Sequence, residues 1–315
     1  MKILVTPTSL KPDSDSPALK KLRSFAPELV FNTTGKPLGE EALAAALDGC
    51  DGCVAGLDYF TAGVIEGSPK LRVISRYGAG FDRVDLDAAR KKNIVVCNTP
   101  GAGSRSVAEL ALALLLCVAR RVPLADRETK GGLWPRMQGI ELFGKTIGIL
   151  GFGAIGRAMA QLAAGFSMKV LACDPFIDRL YVEGQGVEAV DFQGLISRSD
   201  FISLHLPLNG DTKNIICAAS MESMKKGAVI INTARGGLID EAAAYDFLLS
   251  GRLGGLGLDV YETEPPPPSP LFALENVVCT PHCGAHTAEA VKAMADTAVE
   301  NLIDVLSGRP CKHAL

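Results

Sequence analysis

The chain is poor in aromatic rings. One Trp, five Tyr and twelve Phe make up 6% of its 315 residues, so its interior must be packed with Ala, Val, Leu and Ile. Long Lys/Arg runs are missing, and the formal net charge is −3 with a pI near 5.9. Both argue against nucleic acid as a partner, which usually calls for a basic stripe. Long hydrophobic runs are missing too. The longest covers residues 110–119, between Glu109 and Arg120, and a membrane span needs ~20 residues. Met1-Lys2-Ile3-Leu4-Val5-Thr6-Pro7 holds no apolar core of signal length. These absences read as a soluble, cytoplasmic protein with no membrane partner. The mean hydropathy of +0.22 then suits parallel strands buried on both faces.

The nine cysteines are odd in number and scattered, which in a chain without a secretory signal indicates free thiols. Cys50-x-x-Cys53 lacks a second ligand pair at suitable spacing, so no metal site is expected. Glycine is abundant, at 33 residues, but shows no collagen-like period.

Short apolar runs alternate with helix-like stretches almost from end to end. Strands are expected at 2–5, 29–31, 53–55, 71–75 and 94–97, with helices at 18–25, 40–47, 62–66 and 86–92 between them. This alternation implies a doubly wound parallel sheet with right-handed crossovers. An almost wholly apolar helix follows, capped by Ser106 with Glu109 three residues on, running to Arg121 and stopped by Pro123. Apolar on nearly every face, it must be buried between domains or against a second subunit, which suggests a homodimer. A second series has strands at 146–150, 169–173, 201–205, 228–232, 257–260 and 277–279, with helices at 155–166 and 241–249. The last helix, 288–306, stops before Gly308 and Pro310. At this length two domains are expected: 1–99 plus 285–315, and 100–284.

The strand 146–150 leads directly into Gly151-Phe152-Gly153-Ala154-Ile155-Gly156. Glycines at these three places permit a tight turn, close approach of a pyrophosphate and close helix–strand packing. The phosphate would meet free N–H groups at the helix N-terminus. The next strand ends at Asp174, 18 residues after Gly156. An acid there accepts from both ribose hydroxyls and repels a 2′-phosphate, which favours NAD over NADP. Arg179, five residues on, weakens that preference slightly.

Three further polar residues each follow a strand: Arg235, Glu264 and His282. Ligands of open α/β sheets bind at such carboxyl ends. Hydride transfer from an alcohol carbon needs a base for the hydroxyl proton, and imidazole suits that role near neutral pH. A neighbouring carboxylate would orient the ring, and a guanidinium can clamp a substrate carboxylate bidentately.

With these residues in this order the sequence resembles the D-isomer-specific 2-hydroxyacid dehydrogenases, in their phosphoglycerate dehydrogenase-like branch. The resemblance covers nearly the whole chain. It rests on Gly151-x-Gly153-x-x-Gly156 with Asp174, His205-Leu206-Pro207, Asn232-Thr233-Ala234-Arg235-Gly236-Gly237, Leu258-Asp259-Val260-Tyr261-Glu262-Thr263-Glu264-Pro265 and Pro281-His282-Cys283-Gly284. It implies a flavodoxin-like substrate domain and a Rossmann NAD-binding domain with a cleft between them. It implies Arg235 as substrate clamp, His282 as acid/base and Glu264 as its partner, with Glu262 as loop. Cofactor contacts would come from Gly151, Gly153, Ala154, Ile155, Gly156, Asp174, His205, Pro207, Thr212, Thr233, Ala234 and Gly284, with Asp259 on the nicotinamide carboxamide. Arg76-Tyr77-Gly78-Ala79-Gly80 would hold the substrate carboxylate by backbone N–H groups.

One departure concerns the substrate. Phosphoglycerate enzymes of the serine pathway place a basic residue after the third strand, where this chain has Ala55. Arg76 then stands as the candidate phosphate ligand. Phosphoglycerate, hydroxypyruvate, glyoxylate and other short 2-keto acids all fit, and phosphonate oxidation uses a similar triad. Formate enzymes carry an amide where Glu264 stands. Some relatives are NAD-sensing dimeric scaffolds that retain the triad.

Overall fold

The computed structural model describes residues 1–315, the side chains of Tyr181 and Glu183 excepted. The first stretch runs β1 (Lys2–Val5), α1 (Pro17–Phe25), β2 (Glu28–Phe31), α2 (Glu40–Leu47), β3 (Gly52–Ala55), α3 (Ala62–Glu66), β4 (Val73–Arg76), α4 (Leu86–Lys91) and β5 (Val95–Cys97). Two helices follow, α5 (Ser104–Arg120) and α6 (Val122–Lys130). The second series is β6 (Thr146–Leu150), α7 (Ala154–Gly165), β7 (Lys169–Cys173), α8 (Arg179–Gly184), β8 (Val187–Ala189), α9 (Phe192–Arg198), β9 (Phe201–Leu204), α10 (Ala218–Ser223), β10 (Ala228–Asn232), α11 (Glu241–Leu249), β11 (Leu253–Leu258) and β12 (Val277–Cys279). The last helix is α12 (Ala288–Leu306). The chain forms two compact units, Met1–Gly103 with Ala285–Leu315, and Ser104–Gly284. Among the described residues no helix is long and apolar enough to cross a membrane.

The first unit is a five-stranded parallel sheet in the order β2-β1-β3-β4-β5. Alternation along the strands sorts side chains to its two faces. Ile3, Val5, Val54 and Val73 pack with α1 and α12 through Leu19, Leu22, Ala298 and Leu302. Leu4, Cys53, Ile74 and Val96 pack on the other face with Leu43, Leu47, Ile65 and Ala89 of α2, α3 and α4. The second unit is a seven-stranded parallel sheet in the order β12-β11-β10-β9-β6-β7-β8. Ile147, Ile149, Val229 and Ile231 face α5 and α7, while Ile202, Leu204, Ile230 and Leu256 lie in the core that α9, α10 and α11 cover. Both units are thus doubly wound α/β sheets.

Local differences from the sequence reading have identifiable causes. The apolar helix begins at Ser104, so Ser106 lies inside its first turn and is not the cap. Gly101, at φ 79°, turns the chain early enough for this. The helix ends at Arg120 because Arg121 adopts a left-handed φ of 52°. Pro123 does not end the helical region. It sits in the first turn of α6, where a missing N–H costs nothing. Helix α5 is also less uniformly buried than its composition suggests. Ala108, Ala111, Leu114, Leu115, Val118 and Ala119 are buried, while Leu110, Leu112 and Leu116 are only partly so.

Helix α12 completes the core of the first unit, and fully buried Leu302 lies within it. Leu302→Ala removes buried methyl groups at a site held by the β3 backbone, since a Cβ on Gly52 would lie 3.3 Å from its Cδ1. The expected loss is about 2–5 kcal/mol in chemical denaturation. Hydrogen exchange should quicken in β1–β5 and leave β6–β12 protected; equal loss in both sheets would contradict the assignment of α12 to the first core.

Candidate active site

In the second unit the strand order reverses between β6 and β9, the place where open α/β sheets bind ligands. Gly151 turns the chain off β6 at φ 92°, and a Cβ there would lie 2.5 Å from the carbonyl oxygen of His205, just past β9. A Cβ on Gly156 would lie 2.2 Å from the carbonyl oxygen of Gly151, so only glycine lets α7 start this close to the strand. A Cβ on Gly153, the N-cap of α7, would meet nothing within 4 Å. The strand, turn and helix are therefore packed to contact at Gly151 and Gly156 but open at Gly153, the start of the helix, where the first N–H groups of α7 have no partner within the helix. Asp174 follows β7 and braces this loop. Its Oδ2 accepts from the Phe152 N–H at 2.7 Å, and its Oδ1 from the Phe176 N–H at 2.8 Å.

Past β9, the His205 ring Nε2 lies 2.9 Å from the Ser203 hydroxyl. Its Nδ1 is buried and has no partner among the described residues. Burial pushes the ring's pKa down to about 4, so it is neutral near pH 7. Thr212 closes the same loop, its hydroxyl donating to the Pro207 carbonyl at 2.7 Å. Past β10, the Thr233 hydroxyl is a second buried polar atom with no partner among the described residues. Two such orphans at adjacent strand ends call for a ligand that supplies their hydrogen bonds. The residues present thus fit a dinucleotide: open space at a glycine-rich helix start, an acid after the next strand, and unpaired polar atoms beside them.

Arg235 stands on a turn that Asn232 shapes. The Asn232 Oδ1 accepts from the Ala234 N–H at 3.0 Å, and its Nδ2 donates to the Arg235 carbonyl at 2.7 Å. Arg235 donates through Nη1 to the Ala234 carbonyl at 2.6 Å. A Cβ on Gly236 would lie 2.0 Å from the carbonyl carbon of Tyr261. The loops after β10 and β11 are therefore in direct backbone contact, which brings the Arg235 and Glu264 segments together.

The His282 ring Nδ1 lies 2.9 and 2.8 Å from the two carboxylate oxygens of Glu264. Glu264 Oε1 also accepts from the Tyr261 N–H at 3.2 Å. His282 has a left-handed φ of 49°, costly for a residue with a Cβ. Asp259, buried at the end of β11, holds that conformation in place. Its Oδ1 accepts from the Thr280 hydroxyl at 2.6 Å and the Cys283 N–H at 2.8 Å, and its Oδ2 from the Gly284 N–H at 2.8 Å. Three donors from the His282 turn thus already occupy the carboxylate that the family resemblance assigns to the nicotinamide. The Tyr261 hydroxyl adds a fourth tie, donating to the Thr280 carbonyl at 2.8 Å.

In the first unit, Arg76 ends β4 and is only 3% exposed. Its Nη1 donates to the Ala55 carbonyl at 3.2 Å and its Nε to the Gly80 carbonyl at 3.1 Å. The Tyr77 hydroxyl accepts from Ser9 at 3.1 Å and donates to the Val291 carbonyl at 3.0 Å. The residues Gly78, Ala79 and Gly80 form the turn after β4, with Gly78 at φ 148°. Asn232, Tyr261 and Thr280 are absent from the sequence-derived site, although two of them lie inside motifs quoted for it. A polar residue directly at a buried strand end was the available signal.

The D-isomer specific 2-hydroxyacid dehydrogenase, NAD binding domain, family matches residues 112–284. The D-3-phosphoglycerate dehydrogenase of Methanocaldococcus jannaschii is 47% identical over 258 residues, 81% of this chain and 49% of that protein. The chain thus spans about half the length of that relative. The hydroxypyruvate reductase of Thermotoga maritima is 45% identical over 251 residues, 78% of this chain and 81% of that protein. Among solved structures, the D-lactate dehydrogenase of Aquifex aeolicus complexed with NAD and lactic acid superposes with a TM-score of 0.83 at 28% identity, covering 98% of this chain and 96% of the other. On the family match and these identities, the chain belongs to the D-isomer-specific 2-hydroxyacid dehydrogenases.

Proposed function

We propose that the protein is an NAD-dependent dehydrogenase that interconverts a short 2-hydroxy acid and its 2-keto acid. The coenzyme, when bound, supplies or accepts the hydride. The observation that carries the reading is the His282–Glu264 pair, on the same sheet edge as the dinucleotide cradle. With Nδ1 committed to Glu264, the ring offers Nε2 to the substrate oxygen. Nε2 takes the hydroxyl proton in oxidation and returns it to the carbonyl oxygen in reduction. The Glu264 carboxylate orients the ring and stabilises its charged form. Arg235 clamps the substrate carboxylate and polarises the adjacent carbonyl. Gly153, Ala154 and Ile155 hold the pyrophosphate by backbone N–H groups. Asp174 keeps lone pairs for ribose hydroxyls and disfavours a 2′-phosphate. His205 and Thr233 supply polar contacts beside the nicotinamide.

A specific observation favours substrates without a phosphate. Ala55 offers no cation, and Arg76 is buried with Nε and Nη1 both on backbone carbonyls. Arg83 is likewise engaged, its Nη1 on the Leu57 carbonyl at 2.6 Å and its guanidinium 4.7 Å from the Tyr59 ring centroid. The similarity to a hydroxypyruvate reductase over 81% of that protein agrees with this choice. We also read the protein as a cytoplasmic homodimer. The partly exposed Leu110, Leu112 and Leu116 of α5 and the exposed Leu133, Trp134 and Phe143 would lie in its interface.

His282→Ala should lower kcat by about 10²–10⁴-fold and leave NADH binding nearly unchanged; full turnover in that variant would remove His282 from the chemistry. NADH-oxidation assays should give hydroxypyruvate or glyoxylate a kcat/KM at least about tenfold above that of 3-phosphohydroxypyruvate, since a dianion would lack a cation here. A preference for the phosphorylated acid would overturn the substrate reading. Sedimentation at micromolar concentration should give twice the 33.1 kDa chain mass, and a monomer would contradict the dimer.

A further inference from the structure

The Gly78–Gly80 turn has its three carbonyls engaged by hydrogen bonds. Gly78 O accepts from the Thr99 N–H at 3.0 Å. Ala79 O accepts from the Asn98 side-chain amide at 2.7 Å, and Gly80 O from Arg76 Nε at 3.1 Å. A trans peptide is planar, and its N–H points opposite its C=O. Fixing Gly78 O and Ala79 O on Thr99 and Asn98 therefore turns the N–H groups of Ala79 and Gly80 away from β5. Neither N–H meets an acceptor among the described residues. Two adjacent N–H donors, held by their own carbonyls, form an anion cradle whose aim depends on where Asn98 sits.

Asn98 is itself fixed at both ends. It follows β5 and is 8% exposed. Its carbonyl accepts from the Asn301 side-chain amide at 2.9 Å, and its N–H donates to the His313 carbonyl at 3.3 Å. Asn301 is 3% exposed on α12, and its Oδ1 lies 3.1 Å from His313 Nδ1. A chain of contacts thus runs from the C-terminal segment through Asn301 and Asn98 to the Ala79 carbonyl. Each member is a side-chain amide or a backbone group with a defined direction. An amide donor is required at position 98, because an apolar side chain would release the Ala79 carbonyl.

We propose that Asn98, seated by Asn301, is a positioning residue that aims the Ala79 and Gly80 N–H groups at the substrate carboxylate. This rests on the reading of that turn as the carboxylate site. Asn98 touches no reacting atom and acts through the orientation of two peptides. Its loss should appear as weakened carboxylate binding with turnover at saturation largely kept.

The test is the affinity of the enzyme–NADH complex for oxamate, a carboxylate mimic of a 2-keto acid, beside uncharged oxamide. The wild-type complex should prefer oxamate by roughly a hundredfold. Asn98→Ala should reduce that preference about tenfold, the effect expected when the cradle loses its support, and raise KM for the keto acid similarly. Its NADH affinity and kcat should stay within about twofold. Asn301→Ala should shift the same ratio in the same direction by a smaller factor. If Asn98→Ala does not fold, Asn98→Ser, whose hydroxyl is too short to reach Ala79 O, replaces it. Unchanged discrimination in folded Asn98 and Asn301 variants, with the wild type discriminating, would overturn the proposal alone. A wild-type complex that binds oxamide as well as oxamate would overturn the carboxylate reading of the turn, and the proposal with it.

Discussion

Parallel pairing brings the carboxyl ends of all the strands to one edge of a sheet. In the second unit that edge collects Gly151, Asp174, His205, Thr233, Arg235, Asp259 and His282 from six strands. Neighbouring strands lie about 4.8 Å apart, so residues that are distant in sequence become near neighbours once the order is set. At the reversal between β6 and β9 helices leave to opposite faces, and the loops after these two strands meet where Gly151 packs on the His205 backbone. The candidate chemistry follows from this constraint. Glu264 and His282 come from loops after β11 and β12, which pair directly.

Within that frame, Asp259 bears on the geometry most heavily. A carboxylate 1% exposed would be costly if unpaired, and its three donors offset that cost. All three belong to residues 280–284, so the same bonds that stabilise the charge also hold His282 in its left-handed conformation. The strain and the buried charge would each be unfavourable alone. Together they set the direction of one imidazole ring.

The architecture was largely legible from residue patterns. The short apolar runs gave most of the strands, because parallel strands buried on both faces leave little ambiguity. Short helices such as α10, whose N-cap is Cys217, carry weaker signals. Pro123 misled because the same ring that ends one helix also suits the first turn of the next. His282 and Glu264 stand out in the sequence by type and order, and the structure pairs them. Asn98, whose work is done by holding backbone, is not announced in this way, since a hydrogen bond to a carbonyl 19 residues away leaves no local pattern. Arg76 shows the opposite limit. Its type suggests a phosphate ligand, while its burial makes it a strut between Ala55 and Gly80.

The first unit is built from the two ends of the chain, and this affects the order in which the molecule can be made. A ribosome delivers β1–β5 first, then the whole of residues 104–284, and only afterwards α12. Until then Ile3, Val5, Val54 and Val73 have only α1 to cover their face of the sheet. The second unit has all of its strands and helices before the first has its full core. The nascent chain therefore carries an open apolar sheet face while residues 104–284 are made, and the span from β1 to α12 is closed by a helix that emerges only after them.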